Sequence, residues 1–107
     1  MRYKIRLTKK SPVMPVVTFE DEKYSLLGEF LLAERGLLGH FSERLDELTD
    51  VSVTEAEVSG NVFTMTADNE YTTISNEITG QDITVNTSEF KELLLKYILK
   101  LHNMPKQ

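Results

Sequence analysis

One stretch, from Val58 to Ile78, constrains the fold more than any other part of the chain. It reads "VSGNVFTMTADNEYTTISNEI". Apolar residues such as Phe63 and Met65 alternate with Thr residues, which is typical of strands that have one buried and one exposed face. Connections of about two to four residues permit only antiparallel neighbours. The stretch therefore predicts an antiparallel meander.

The period of two begins near Val51, and turn residues divide the region into three or four strands. "SGN", "ADNE" and "TGQD" mark the turns, and we expect Gly60-Asn61 to supply a positive φ. A short last strand, "ITV", follows. The alternation assigns four residues to the core, namely Phe63, Met65, Ile74 and Ile78. It assigns four others to the exposed face, namely Thr64, Thr66, Thr73 and Ser75.

A C-terminal helix is the clearest single element, with the sequence "NTSEFKELLLKYILKLHN". Asn86, Thr87 or Ser88 can cap its start, and Glu89 lies three residues after Asn86, as in a capping box. Its apolar stripe consists of Phe90, Leu93, Leu94, Tyr97, Ile98 and Leu101. Such a stripe predicts a helix that packs across the sheet. We expect residues 101–107 to form a frayed tail.

The N-terminal half predicts one or two strands and two helices. "RYKIRLT" alternates basic and apolar residues as a half-buried strand does, "KKSPVMP" interrupts it, and "VVTFE" can resume as a second strand. The first helix, in "DEKYSLLGEFLLAERG", can be capped by Asp21 and ended by Gly36 in the left-handed conformation. The second, in "LLGHFSERLDELTD", is expected to begin near His40 or Phe41.

These patterns predict a single α+β domain over residues 1–107. Its antiparallel β-sheet would hold a meander of three to four strands plus an N-terminal strand, with the C-terminal helix and one or two helices of the N-terminal half packed on it. An apolar content of 40% suits a globular domain of 107 residues. The absence of Cys excludes disulfides and thiolate chemistry. Without a signal peptide or a membrane-length apolar segment, we expect a cytoplasmic protein that does not bind membranes.

Residue patterns for catalysis are missing. His40 and His102 are the only histidines, and no phosphate-binding loop, nucleophile elbow, zinc-binding His pair or dinucleotide fingerprint occurs. His40 with Asp46, Glu47 and Asp50 offers oxygen and nitrogen ligands, but helical acids at this spacing are common and no calcium loop is present. We therefore predict no enzyme activity, no catalytic residue, no metal site and no cofactor.

Charge is unevenly distributed along a chain whose net charge is −5. The first ten residues carry five basic residues and no acid, whereas residues 19–57 carry eleven acids and three bases. The acids are interpreted either as a solvated face or as a surface for a basic protein partner. The partner-binding candidates are Glu43, Asp46, Glu47, Asp50, Glu55 and Glu57. The basic strand lacks aromatic residues on its charged face, so we predict no nucleic-acid binding and interpret its charge as complementarity within the fold.

The order of these segments resembles a group of small bacterial proteins. "YSLLGEFLLAE", "RLDELTDV", "EVSGNVFTMTADNEYTTISNE" and "ITVNTSEFKELLLKYI" are similar to immunity proteins of contact-dependent and polymorphic toxin systems, over roughly residues 20–101. The resemblance implies that the chain neutralises one cognate toxin by direct binding, without catalysis. A basic, nuclease-like toxin domain would suit the acidic candidates.

One alternative stays open beside the toxin-binding hypothesis. The chain can instead be a small homodimeric regulatory or assembly module of a bacterium, phage or mobile element. An edge strand in "RYKIRLT" or "ITV" would then pair with a second copy. The sequence thus predicts a protein partner and leaves both a monomer and a homodimer open.

Overall fold

The computed structural model describes residues 1–104, and the elements of this part of the chain follow the predicted order. They are β1 (Tyr3–Leu7), β2 (Pro15–Phe19), α1 (Ser25–Ala33), α2 (Leu38–Asp46), β3 (Ala56–Ser59), β4 (Phe63–Ala67), β5 (Tyr71–Asn76), β6 (Asp82–Asn86) and α3 (Thr87–His102). Two short 3-10 helices, Glu22–Tyr24 and Glu47–Thr49, precede α1 and follow α2. The predicted α+β class is confirmed.

The strands form two antiparallel sheets. The meander is a four-stranded sheet in the order β3-β4-β5-β6. Of the three to four strands predicted, the larger number is confirmed. Met65 pairs with Ile74, and Ile74 pairs with Ile83, which aligns the apolar residues on one face. The predicted N-terminal strand, β1, pairs with β2 in a separate two-stranded sheet.

Hydrogen bonding in the β1–β2 pair explains how Pro15 fits into β2. Bonds from Glu20 N to the Arg2 carbonyl (3.1 Å) and from Thr8 N to the Met14 carbonyl (2.9 Å) flank the ladder. The even-numbered residues of β1 are therefore the ones that exchange hydrogen bonds with β2. Pro15 pairs with Leu7, an odd-numbered residue, so its missing N–H removes no ladder bond.

The core lies between the helices and one face of the four-stranded sheet. Phe30 of α1 is at its centre, with ring-centroid distances of 4.9 Å to Phe41 of α2, 5.7 Å to Phe63 of β4 and 5.8 Å to Phe90 of α3. One side chain thus joins all three helices to the sheet. The stripe of α3 is inward as predicted: Phe90, Leu93, Leu94 and Tyr97 are buried, and Ile98 and Leu101 are half-buried.

The start of α3 is fixed to the sheet by polar side chains. Asn86 Oδ1 accepts hydrogen bonds from Ser88 N (3.0 Å) and Glu89 N (3.3 Å), which confirms the predicted cap. Thr87 Oγ1 lies 2.8 Å from Thr72 Oγ1 and donates to the Asp68 carbonyl at 2.8 Å. These contacts join the first residue of α3 to β5 and to the turn before β5.

The predicted core position of Ile78 is wrong. Its side chain is 79% exposed, because β5 ends at Asn76 and the chain turns there. Asn76 Oδ1 accepts hydrogen bonds from Ile78 N (2.8 Å) and Thr79 N (3.0 Å), so a side chain stabilises the turn. The strand alternation cannot be extended through such a turn.

The predicted glycine conformations are also wrong. Among residues 1–104, Gly80 has the only positive φ, at 77°. Gly36 therefore does not end α1 in the left-handed conformation, and Gly60 and Asn61 do not use positive φ in their turn. Gly60 is needed for a different reason, which involves the carboxylate of Glu34 and is described below.

Three element boundaries differ from those expected. α2 begins at Leu38, two residues before His40, and β3 begins only at Ala56. The segment before β3 leaves the strand pattern because Asp50 Oδ1 accepts from the Ser52 backbone N–H (2.9 Å) and side-chain hydroxyl (2.8 Å). α3 is helical through His102, so residues 101 and 102 of the expected tail are not frayed; residues 105–107 lie outside the described part.

Tyr97 joins α3 to the two-stranded sheet. Its side chain is buried, and its hydroxyl donates a 2.9 Å hydrogen bond to the Pro15 carbonyl. Burial raises the pKa of the Tyr97 phenol, because the phenolate would lose its water. The neutral, donating form is therefore part of the folded state.

Replacing Tyr97 by Phe is expected to lower the free energy of unfolding by about 1–3 kcal/mol at neutral pH, since the Pro15 carbonyl loses its donor. The folded-state pKa of Tyr97 exceeds the unfolded value, so its contribution is complete below the unfolded pKa near 10 and is lost as pH rises through the folded pKa. The difference between the two proteins should narrow at alkaline pH in urea titrations. Tyr71→Phe is the control, because Tyr71 is 53% exposed. A Tyr97→Phe deficit that stays constant with pH would contradict this.

Candidate functional site

The six predicted partner-binding residues are all exposed and lie on connected elements. We call them the acidic surface: Glu43, Asp46, Glu47, Asp50, Glu55 and Glu57. They occupy the second half of α2, the 3-10 helix after it, the following loop and β3. Because α2 packs against β3, residues that are up to 14 positions apart lie on neighbouring elements.

Two cations reach the acidic surface from within the fold. Arg44 Nε donates to the Glu57 carbonyl at 3.1 Å, while Arg44 Nη1 lies 2.9 Å from Glu47 Oε2. Lys91 Nζ, on α3, lies 3.2 Å from Asp46 Oδ1. These pairs are largely solvent-exposed and hold side chains in place more than they stabilise the fold. Six carboxylates against two cations leave the surface strongly negative.

Three carboxylates of this surface are free for a partner. Within residues 1–104, the side chains of Glu43, Glu55 and Glu57 have no ion-pair or hydrogen-bond partner. Asp50 is held in its loop by Ser52, whose backbone and side-chain hydrogen bonds lower the pKa of the Asp50 carboxyl and favour its charged form. Beside it, Val51 is 97% exposed and places an apolar group among the acids.

The face of the four-stranded sheet that points away from the helices adjoins the acidic surface through Glu57. We call it the open face: Glu57, Ser59, Thr64, Thr66, Tyr71, Thr73, Ser75, Asp82, Thr84 and Asn86. The prediction that its Thr and Ser residues lie opposite the core is confirmed. Thr73 and Thr84 hydroxyls are 2.7 Å apart, and those of Ser59 and Thr64 are 3.1 Å apart. The charged residues of this face, Glu57 and Asp82, are both acidic.

Glu34 is the residue that sequence reasoning missed. It follows α1 directly and is fully buried. Its carboxylate accepts hydrogen bonds from three consecutive backbone N–H groups of the β3–β4 turn, those of Asn61 (2.7 Å), Val62 (2.8 Å) and Phe63 (2.8 Å). The end of α1 therefore holds the hairpin that carries four of the ten residues of the open face, Glu57 among them.

Gly60 is required because it lies against that carboxylate. A Cβ atom at position 60 would be 2.6 Å from Glu34 Oε1, too close for any side chain while the carboxylate stays in place. The sequence does contain a signal for this contact: Glu34 lies three and four residues after Leu31 and Phe30, on the apolar stripe of its helix. A charge at a core-facing position indicates a buried polar partner.

Residues considered for catalysis or metal binding are dispersed. His40 and His102 are exposed and lie on α2 and α3. In the described part of the chain, no three His, Asp or Glu side chains are grouped so that they could hold a metal ion. No helix within residues 1–104 has the length and apolar character needed to cross a membrane.

Comparisons with protein-family models, with curated proteins and with solved structures find no match to this chain.

Proposed function

We propose that this chain is a non-enzymatic binding protein that neutralises a basic, nuclease-like toxin domain by covering it, in the manner of an immunity protein. The observation that carries the proposal is the continuity of the acidic surface with the open face through Glu57. Together they present carboxylates, hydroxyls and one exposed tyrosine, Tyr71, to a partner.

The dimensions support the use of both surfaces together. Four strands about 4.8 Å apart, each about 17 Å long, give the open face a planar area of roughly 320 Å². A stable complex needs about 800 Å² from each partner. The open face alone is too small, so the adjoining acidic surface with Val51 is needed to complete an interface of ordinary size.

The chemistry of the two surfaces suits a basic protein. Clustered carboxylates repel one another, and a cationic partner relieves that repulsion and is attracted faster. Ser, Thr, Asn and Tyr side chains, which dominate the open face, give adaptable hydrogen bonding and rigid aromatic contact. Neither surface groups a nucleophile with a general base, so the proposal includes no catalysis.

Reversing the three free carboxylates tests the proposal. The triple variant Glu43→Lys, Glu55→Lys, Glu57→Lys is expected to weaken binding of the cognate toxin domain about 100-fold or more and to abolish protection of cells that express it. The partner to assay is the C-terminal domain of a secreted protein encoded immediately upstream. Affinity is measured by calorimetry at low and high salt, and wild-type binding should weaken as salt increases.

The matched control is Glu29→Lys on α1, which makes the same kind of charge change at an exposed position outside both surfaces. It should leave affinity and protection unchanged. Urea unfolding must show that the triple variant remains folded, as expected for residues whose side chains have no partner within residues 1–104. If the triple variant bound and protected like the wild type, the acidic surface would not be the binding site.

Pairing of two copies is the second candidate function, and one observation favours it. β6 is an edge strand of the four-stranded sheet, as "ITV" was predicted to be, and two copies can join there about a two-fold axis. Sedimentation over a range of concentrations separates the candidates. A stable dimer that Thr84→Pro disrupts would favour an assembly module, because the Thr84 N–H faces the free edge, whereas a monomer favours the inhibitor.

A further inference from the structure

Contacts within the fold leave most of the positive charge of the N-terminal strand unpaired. The sequence predicts that this charge is balanced by acids within the fold. In the described residues, Arg2 alone forms such an ion pair, with its Nε 3.9 Å from Glu20 Oε2. Both side chains are at least 70% exposed. Lys4 and Arg6 form no ion pair there. Two neighbouring cations of a net-acidic chain therefore point into solvent without a partner.

β1 also has a free edge with unused backbone groups. Its even-numbered residues exchange hydrogen bonds with β2, so the N–H and C=O groups of Tyr3, Ile5 and Leu7 point away from β2. No strand pairs with that side of β1 in the described part of the chain. Such an edge can accept an additional strand.

A groove of about 770 Å³ is lined by β1 and the two residues before it, by the end of β2 with Glu20, and by α3. Aromatic rings of Tyr3 and Phe19 line it, with centroids 5.9 Å apart. Lys96 of α3 is 5.6 Å from the Tyr3 ring centroid and 3.0 Å from Glu92 Oε1. The groove is lined by four cations and two carboxylates, so it is positive in a chain of net charge −5.

We propose that β1 binds an extended peptide segment of a protein partner by strand addition, and that this segment carries acidic residues at alternate positions. Lys4 and Arg6 are two residues apart and therefore share one face of β1. A paired strand places its own alternate side chains opposite them, at cross-strand distances that favour opposite charges. The partner side chains between these acids lie on the same side as Tyr3 and Ile5, so the partner residues at those positions are apolar.

Features of the free edge of β1 and of the groove favour a peptide over a nucleic acid. The free edge offers alternating N–H and C=O groups, which match another peptide backbone but not a phosphodiester chain. Two carboxylates, Glu20 and Glu92, lie within the groove and repel phosphates.

The occupant is also unlike the edge strands of this chain. β3 carries Glu57 next to apolar residues and would otherwise fit. Its outward-facing Glu57 carbonyl already accepts a hydrogen bond from Arg44, which covers that edge. The other edge, β6, carries one acid, Asp82, and so offers only one opposite charge to Lys4 and Arg6. A foreign segment with alternating acids therefore suits β1 better than a second copy does.

The experiment uses the full chain and two fluorescein-labelled seven-residue peptides of identical composition. One alternates Glu with Val and Thr, and the other places its four Glu residues consecutively. Fluorescence anisotropy should show that the alternating peptide binds at least about tenfold more tightly than the other peptide. The double variant Lys4→Glu, Arg6→Glu should bind the alternating peptide at least about tenfold more weakly than the wild type does. Equal binding of the two peptides would overturn strand addition.

The backbone contribution is tested at Ile5, whose N–H faces the free edge. Ile5→Pro should weaken the alternating peptide about tenfold, whereas Ile5→Ala, which also shortens the side chain but keeps the N–H, should retain binding. Circular dichroism checks that both variants are folded. Equal affinities of these two variants would overturn the proposal. The proposal would also be overturned if a single-stranded oligonucleotide of equal charge displaced the labelled peptide more strongly than unlabelled peptide does. Self-association of the chain without peptide, if Lys4→Glu abolished it, would overturn the proposal as well.

Discussion

Replacing Glu34 by Ala is expected to lower the free energy of unfolding by about 3 kcal/mol or more, because three N–H groups of the β3–β4 turn lose their acceptor. Glu34→Gln keeps the size of the side chain but substitutes an NH₂ donor for one acceptor oxygen. We expect Glu34→Gln to lower the free energy of unfolding by about half as much as Glu34→Ala does. Urea unfolding followed by circular dichroism measures both effects.

Gly60→Ala provides a second route to the same contact. The new Cβ would displace the carboxylate of Glu34 and should cost about 1–3 kcal/mol in the wild-type background. In the Glu34→Ala background that cost should largely disappear, since the obstructing carboxylate is gone. The double-mutant cycle therefore predicts a large coupling between positions 34 and 60.

Gly39→Ala is the matched control for this cycle. No atom lies within 4 Å of a Cβ at position 39, which is in α2, so this change should stabilise the protein by up to about 1 kcal/mol. Additive effects of Glu34→Ala and Gly60→Ala would show that the carboxylate is not what makes glycine necessary in the hairpin.

Phe30→Ala is the other substitution with a large expected effect. Phe30 is fully buried and contacts aromatic rings of α2, β4 and α3, so its removal leaves a cavity that four elements would have to close. We expect a loss of about 3–5 kcal/mol in the free energy of unfolding.

The control for Phe30→Ala is Leu99→Ala on α3. Leu99 is 59% exposed, and its truncation should change stability by no more than about 0.5 kcal/mol. Similar losses in the two variants would mean that Phe30 does not join the helices to the sheet as its ring contacts indicate.

Local patterns in the sequence were sufficient for the meander and for α3. The alternation around Met65 sets which face of each strand is buried, and short connections leave only antiparallel neighbours. The cap at Asn86 and the stripe that begins at Phe90 are likewise properties of consecutive residues. Each of these signals acts within about one element, so it can be read without knowing the fold.

Contacts between distant parts of the chain could not be predicted in the same way. Glu34 and the turn it binds are 27–29 residues apart, and only the packing of α1 against the sheet brings them together. The role of Gly60 follows from that contact and not from its own backbone freedom. Ile78 was misassigned because the Asn76 side chain accepts a hydrogen bond from Ile78 N, and the strand ends there, two residues early.

The candidate surfaces were predicted in part. The six acids were identified from their density along the chain, but which of them are free depends on Arg44 of α2, Lys91 of α3 and the Ser52 contact with Asp50. That β1 would stand in a separate sheet, with one edge open, depends on how the two sheets pack, and no local pattern encodes it.

The paired hydroxyls on the open face affect how readily a partner can cover it. A lone hydroxyl must give up a water molecule when it is buried, and the loss is costly unless the partner replaces the bond. Thr73 and Thr84, and likewise Ser59 and Thr64, already bond to each other before any encounter. A partner of the proposed kind would therefore meet four hydroxyls that already share two hydrogen bonds, and in that proposal the acids at the margin of the sheet would determine which partner is accepted.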